Sequence, residues 1–260
     1  AAPSAVTGSR YVFHIVHSAE ERARALARFA VAAGKHDFAI LGPREGYGRA
    51  VGDAFAQEVA RLGGKVVVSA WYDPKTTSFG DTIKRLRKPW QAVFVPDIAS
   101  RLELVAPALA AGNFISRPLG GDEPDHGRKV LLLSTAEFLD SSFLRSAGRY
   151  AEGAVLAPGF YPDRSDPRMS DVIASYEAAY GRLPTALEAY AVDAAAVVQA
   201  AVAAGARTRA EVAAFATRSQ ISGLTGEVSF GADLRRRDSG VLYQVQVSER
   251  GDYAIRALRK

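Results

Sequence analysis

Residues 37–64 constrain the fold most, because the hydrophobic period changes within them from that of a strand to that of a helix. The apolar run at 38–41 is too short for a helix and leads directly into Gly42 and Pro43, which favour a turn. Apolar residues then recur at helical spacing until a glycine pair ends the helix. The strand-like segment KVVVSAW follows at 65–71. This order predicts a βαβ unit, whose parallel sheet places ligand sites at the carboxyl ends of its strands.

Strand and helix patterns alternate through the first 157 residues. A helix is predicted after Ser18, which is typical of an N-cap, with Glu20 and Glu21 in the first turn. The remaining strand candidates are 11–16, 91–95, 130–134 and 153–157, and the helix candidates are 78–88, 99–111 and 138–150. The alternation predicts an α/β fold with a doubly wound parallel sheet.

Beyond residue 158 the pattern changes to three successive helices, predicted at 169–180, 186–204 and 209–218. The middle helix consists almost entirely of small apolar residues, which predicts burial on more than one side. Strand patterns then return at 226–230, 241–247 and 253–257. The order indicates a chain that leaves one domain, enters another and comes back.

Composition excludes several classes of function. The net charge is +5, but the basic clusters at 84–88 and 235–237 are not interleaved with aromatic residues. They are therefore interpreted as solvated helix ends or turns, and no nucleic-acid partner is predicted. The sequence contains no cysteine, which excludes disulfides and thiolate metal sites. No run approaches the roughly 20 consecutive apolar residues that span a membrane.

The glycine-rich loop GYGRAVG at 46–52 superficially resembles a dinucleotide-binding fingerprint. Its last gap is three residues long, and residues 42–45 separate it from the preceding strand, so no nucleotide cofactor is predicted. In one interpretation the glycines allow close packing of the helix. In another, Tyr47 projects from the helix N-terminus into a cleft, where it contacts a polar ligand.

Neither a metal site nor an enzyme is predicted. The four histidines form no pair on one helix, and His14 and His17 fall on opposite faces of their segment. There is no G-x-S-x-G nucleophile elbow.

Two acidic residues follow predicted strands at positions where α/β sheets contact ligands. Asp97 comes after the strand at 91–95, and Glu137 comes after the strand at 130–134. Either carboxylate could accept hydrogen bonds from an ammonium group, and either could instead cap the helix that follows.

Five segments occur in an order that is similar to a known family. They are YVFHIVHSAE at 11–20, GYGR at 46–49, YEAAYGRLP at 176–184, AYAVDA at 189–194 and GLTGEVSF at 223–230. Together they resemble the type I periplasmic binding proteins of the branched-chain amino-acid class, over nearly the whole chain. They also resemble the related lipoprotein activators of penicillin-binding proteins.

The resemblance implies two Rossmann-like lobes, joined by three crossing strands, with a ligand trapped between them. Residues 14–153 and 227–260 would form the second, C-terminal lobe, and residues 1–13 and 158–222 would belong to the first. The N-terminal sheet of that first lobe has no counterpart in this sequence. Either the chain is a fragment, or the missing half comes from another chain or an unseen segment.

The resemblance also implies site residues. Tyr47 matches the loop tyrosine of the family. Asp97 and Ile98 match a strand-end contact that is often aromatic. Glu137 matches the acid that meets the ligand's ammonium group. Asp122 and Glu123 are the alternatives for that acid.

The implied function is that of a periplasmic solute-binding protein, with a lipoprotein anchor on the full-length protein as a further possibility. It would deliver a small polar or amino-acid-like ligand to the membrane permease of an ABC transporter, without catalysis. One alternative is a regulatory module with a vestigial cleft that contacts a cell-wall synthase. Another is an enzyme on a flavodoxin-like sheet.

Overall fold

The computed structural model describes residues 9–140, 142–237, 240–248 and 251–258. The chain divides into two compact units. The sheet unit comprises Ala19–Asp163 and Val241–Lys260, and the helical unit comprises Ala1–Ser18 and Arg164–Gly240. Assignment of these units to the two lobes implied by the resemblance stays a prediction.

The helices and strands follow one another in a defined chain order. They are α1 (Ala19–Ala32), β1 (Asp37–Pro43), α2 (Gly46–Arg61), β2 (Lys65–Tyr72), α3 (Gly80–Ile83), β3 (Ala92–Val95), α4 (Ala99–Ala111), β4 (Phe114–Ser116), β5 (Arg128–Ser134), α5 (Ser142–Ala147), β6 (Val155–Leu156), α6 (Pro167–Tyr180), α7 (Ala186–Ala203), α8 (Arg209–Arg218), β7 (Ile221–Gly223), β8 (Gly226–Val228), β9 (Tyr243–Val247) and β10 (Tyr253–Ala257).

The sheet unit is built on one sheet in the order β10-β9-β6-β5-β3-β1-β2. Strands β2, β1, β3, β5 and β6 run parallel, whereas β9 is antiparallel to both β6 and β10. The short β4 pairs in parallel with the first residues of β5. Because five parallel strands end at one edge, the loops that follow them converge there.

The parallel strands bury side chains on both faces, which explains their nearly continuous apolar sequences. In β1, Phe38 and Ile40 pack with α1 and α2, whereas Ala39 and Leu41 face the opposite core with α4. Helices therefore cover both faces of the sheet, and the predicted doubly wound α/β class is confirmed.

The helical unit contains α6, α7, α8 and the hairpin of β7 and β8. The three successive helices of the sequence prediction are confirmed. Asp166 caps α6 by accepting a hydrogen bond from the backbone N–H of Arg168 at 2.9 Å. Thr208 begins α8 with a capping box that includes Glu211.

Contrary to the expectation that no run approaches a membrane-spanning length, helix α7 is long and apolar enough to cross a membrane by length and composition alone. A core helix of a soluble protein passes the same test. Its Asp193 is 1% exposed and forms an ion pair with Arg236. A buried pair of this kind fits packing against protein.

Several predicted elements are shorter in the structure. The strands expected at 153–157, 226–230 and 241–247 are limited to Val155–Leu156, Gly226–Val228 and Tyr243–Val247. The strand expected at 11–16 is reduced, among the described residues, to a single bridge between His14 and Arg235. The helix expected at 78–88 is limited to Gly80–Ile83, because the following amides tighten into i−3 bonds such as Leu86 N to Ile83 O at 2.9 Å. The helix expected at 138–150 is shorter, with its α-helical part at Ser142–Ala147.

Candidate ligand-binding site

The carboxyl edge of the parallel sheet brings together side chains from two separate loops. Tyr47 lies in the first turn of α2, directly after β1, and Thr135 and Glu137 follow β5. The Tyr47 hydroxyl oxygen lies 3.0 Å from Thr135 Oγ1 and 3.0 Å from Glu137 Oε1. Two of the predicted site residues therefore touch each other.

Tyr47 is placed by the glycines on either side of it. Gly46 has a φ of 58°, in the left-handed region that favours glycine. A Cβ atom on Gly48 would lie 2.3 Å from Pro43 Cγ at the end of β1. The glycines therefore serve the turn and the close packing of α2 on the strand, which leaves Tyr47 directed at the β5 loop.

Glu137 stands between two residues with unusual backbone angles. Ala136 has a φ of 43° and Phe138 a φ of 60°, although neither is glycine. Such residues cost of order 1–3 kcal/mol each and are concentrated at functional sites. The surrounding structure fixes the position of the Glu137 carboxylate at the expense of local strain.

Hydrogen bonds from neighbouring strands hold this loop. Ser134 Oγ donates to the Val95 carbonyl at 2.7 Å and accepts from the Ala136 amide at 3.0 Å. The Ala99 amide at the start of α4 donates to the Glu137 carbonyl at 2.8 Å. The loops after β3 and β5 are thereby joined.

Arg22 on α1 is a site residue that the sequence prediction missed. Its Nη2 forms an ion pair with Glu137 Oε1, and its Nη1 donates to the Ala157 carbonyl at 2.7 Å. The Arg22 side chain is 6% exposed and that of Glu137 is 25% exposed. Its spacing of four and eight residues before the buried Leu26 and Ala30 places Arg22 on the buried face of α1, but it does not identify Glu137 as its partner.

Asp97 and Ile98 lie at the same edge, in the loop after β3. Asp97 Oδ2 accepts from the Tyr72 hydroxyl at 2.6 Å, and Oδ1 accepts from the Ile98 amide at 2.8 Å. Burial raises the pKa of Asp97. Ile98 forms a parallel bridge with Glu137, so its backbone reaches the Glu137 loop, whereas the Asp97 carboxylate is held by Tyr72.

The Tyr47 hydroxyl remains protonated at neutral pH. Burial raises its pKa above the ordinary value of 10.0, and the nearby Arg22 charge opposes only part of this increase. The hydroxyl is therefore an uncharged hydrogen-bonding group beside the Glu137 carboxylate.

The alternative acids lie elsewhere. Asp122 and Glu123 are in the loop before β5. Glu123 Oε1 is 3.8 Å from Nζ of Lys129, the second residue of β5, and the Glu123 side chain is 79% exposed. Glu137 follows the last residue of that strand, so Glu123 lies towards the opposite end of β5.

Within the described residues, no group of three or more histidines and acids is arranged to hold a metal ion. The edge offers hydroxyl, carboxylate and backbone groups joined in a hydrogen-bonded network, together with the exposed face of Ile98. These groups can bind and orient a small polar molecule at the carboxyl edge of an open α/β sheet.

A sheet unit of this type, with polar groups gathered after its strands, is typical of a small-molecule receptor. The sequence profile described as periplasmic binding protein matches residues 2–252. The chain belongs to this family of solute-binding proteins, and the resemblance stated from its sequence motifs is confirmed. The comparison with curated proteins gives no match.

Solved structures share the fold. A protein of Rhodospirillum rubrum assigned to a branched-chain amino acid ABC transporter is 23% identical with a TM-score of 0.80, over 95% of this chain and 68% of its own. The leucine binding protein of Thermotoga maritima is 18% identical with a TM-score of 0.68, over 96% and 68%. A solute binding protein from R. palustris in complex with benzoate is 17% identical with a TM-score of 0.66, over 97% and 68%.

Proposed function

We propose that this protein binds a small polar or amino-acid-like solute at the carboxyl edge of its sheet unit. The convergence of Tyr47 and Glu137 carries the proposal. They come from loops 90 positions apart in sequence, yet their side chains meet at 3.0 Å. The left-handed backbone on both sides of Glu137 supports a functional role, because such strain is concentrated at binding sites.

The solved structures suggest the size of the ligand. One is described as a leucine binding protein, and another was solved with benzoate. Leucine and benzoate both combine a carboxylate with an apolar body. In the proposed site, Ile98, 36% exposed, offers apolar contact, and the Tyr47–Glu137 pair offers polar contact.

The proposed setting is the periplasm, where the protein would hold its solute and pass it to the membrane permease of an ABC transporter. Family membership supports an extracytoplasmic location and a role in binding without catalysis. The lipoprotein anchor on a full-length protein stays a prediction.

The first test is a thermal-shift screen of the full chain against amino acids and small carboxylates, followed by calorimetric titration of each hit. Replacement Tyr47→Phe keeps the ring and removes the hydroxyl. We expect its affinity for the hit to fall by about tenfold, as for the loss of a hydrogen bond to a charged group.

The matched control is Asp37→Asn, at the opposite edge of the same sheet. Asp37 is the first residue of β1, and its Oδ1 lies 3.4 Å from Lys65 Nζ. This variant should bind with unchanged affinity. A screen without any hit would contradict the proposal and favour the partner-binding module that contacts a cell-wall synthase. Equal affinity of Tyr47→Phe and the unmodified chain for a hit would place binding away from this edge.

A further inference from the structure

The Glu137 carboxylate, which the family resemblance assigns to a ligand's ammonium group, already has a cationic partner within the protein. We infer that the ligand group that meets Glu137 is an uncharged hydrogen-bond donor, such as a hydroxyl or an amide, and not an ammonium. This inference rests on the proposed function, because it names the class of solute that the same edge selects.

The two oxygens of Glu137 are used unequally. The contacts from Arg22 and Tyr47 both go to Oε1. Among the described residues, no hydrogen bond to Oε2 is found, and the Glu137 side chain retains 25% exposure. Oε2 is thus available to a ligand, while the negative charge of the Glu137 carboxylate is compensated by Arg22.

Arg22 is held in place from two sides. Besides its pair with Glu137, it donates to the Ala157 carbonyl at 2.7 Å, and its side chain is 6% exposed. It emerges from α1, whose Leu26 and Ala30 are fully buried against the sheet. A ligand ammonium could not displace this guanidinium into water without breaking both contacts.

The electrostatic consequence follows from distance. An ammonium bound at Oε2 would be attracted by the carboxylate and repelled by the more distant guanidinium on Oε1, so the repulsion offsets part of the attraction. A neutral donor makes the same hydrogen bond without that repulsion. The preference for a cation is therefore weaker than that of an unpaired acid.

Two other acids at this edge do not replace Glu137. Both oxygens of Asp97 accept hydrogen bonds, from the Tyr72 hydroxyl and from the Ile98 amide. Glu45 precedes α2 in an exposed position, and exposed carboxylates contribute little to ion pairing.

Matched pairs of compounds test the inference with the unmodified chain. L-leucine is compared with (S)-2-hydroxy-4-methylpentanoate, and L-phenylalanine with (S)-2-hydroxy-3-phenylpropanoate, by calorimetric titration at pH 7. Each pair differs only in an ammonium against a hydroxyl. We expect the hydroxy acid to bind at least as tightly as the amino acid. An amino acid that binds more than tenfold tighter than its hydroxy acid would overturn the inference and leave the proposed function standing.

A variant pair shows whether Arg22 is the cause. Arg22→Met leaves the Glu137 carboxylate without its arginine partner. The ratio of the two affinities within each compound pair should then shift by about tenfold or more towards the amino acid. Arg22→Lys keeps a positive charge and should keep the preference of the unmodified chain. An unchanged preference in a folded Arg22→Met variant would overturn the inference. If none of the four compounds binds, the comparison is made with a hit of the thermal-shift screen and its amine or hydroxyl counterpart, and only a screen without any hit contradicts the proposed function.

Discussion

Each unit contains a buried arginine that is paired with a carboxylate. The two pairs have the same charges, but they differ in how many carboxylate oxygens accept hydrogen bonds. In the helical unit, Asp193 is paired with Arg236 and accepts from the backbone amides of Leu224 and Thr225 at 2.5 and 3.1 Å. The Thr225 hydroxyl also donates to it. In the sheet unit, Glu137 is contacted by the side chains of Arg22 and Tyr47 at one oxygen.

The comparison teaches that charge compensation does not distinguish a structural acid from a ligand-binding acid. Both acids have an arginine partner. The Asp193 side chain is 1% exposed and both its oxygens accept, whereas Glu137 is 25% exposed and offers Oε2. Remaining acceptor capacity at an accessible oxygen is the property that fits binding.

The largest expected effect is the loss of Asp193. The Asp193→Ala variant leaves the Arg236 guanidinium buried without its carboxylate and removes the acceptor of two backbone amides. Breaking a buried pair from one side costs about 3–5 kcal/mol, and urea unfolding should show a loss of that size. The control is Glu177→Ala, which removes an exposed pair with Arg164 in the same unit and should cost less than about 1 kcal/mol. Equal losses of unfolding free energy for Asp193→Ala and Glu177→Ala would show that burial of the Asp193–Arg236 pair does not set its contribution to stability.

An intermediate effect on stability is expected for Arg22→Met. The Glu137 carboxylate that it leaves behind is 25% exposed and can be hydrated, and one bond to the Ala157 carbonyl is lost. We expect a decrease of about 1–2 kcal/mol in the free energy of unfolding, measured in the same urea series. A loss as large as that of Asp193→Ala would mean that Glu137 is a structural acid, contrary to its proposed role.

Much of the sheet unit could be predicted from the sequence. The change of period around residues 37–64 predicted β1, α2 and β2, which the structure contains. The rule that parallel strands end at one edge placed Asp97 and Glu137 at that edge, while their role in binding stays a prediction. These predictions succeeded because they depend on local hydrophobic period and on the direction of the strands.

The remaining features depend on tertiary contacts. Arg22 gives no motif, and its partner Glu137 lies 115 positions away in sequence. The hydrogen bond from Tyr72 to Asp97 likewise joins two strand ends. The alternating residues at 11–16 resemble a strand, but alternation arises equally in an extended segment. Among the described residues this segment makes a single bridge, through His14. Contacts between side chains of different loops at the sheet edge leave no periodic pattern in the sequence.

The smallest expected effect concerns Glu58, a buried acid whose arginine partners are solvated. Glu58 accepts from Arg61 at 2.8 Å and from Arg28 at 3.1 Å, and those side chains are 63% and 42% exposed. The hydrogen bond from Arg61 is the main cause that lowers the pKa of Glu58 from 4.5 to about 2, with Arg28 acting in the same direction.

A folded-state pKa below the unfolded one means that Glu58 stabilises the protein above pH 4.5 and that this contribution is lost as the pH falls towards 2. The Glu58→Gln variant should therefore show a flatter decline of the urea midpoint between pH 5 and pH 3 than the unmodified chain, with the difference between the two chains greatest near pH 7 and shrinking as the pH falls. Parallel pH profiles would show that Glu58 has no depressed pKa. Because the released arginines reach water, this variant lacks the penalty that Asp193→Ala carries at Arg236. Each of these variants removes one member of an ion pair and leaves the other behind. We expect the loss of unfolding free energy to follow the burial of the charged group that is left without its partner.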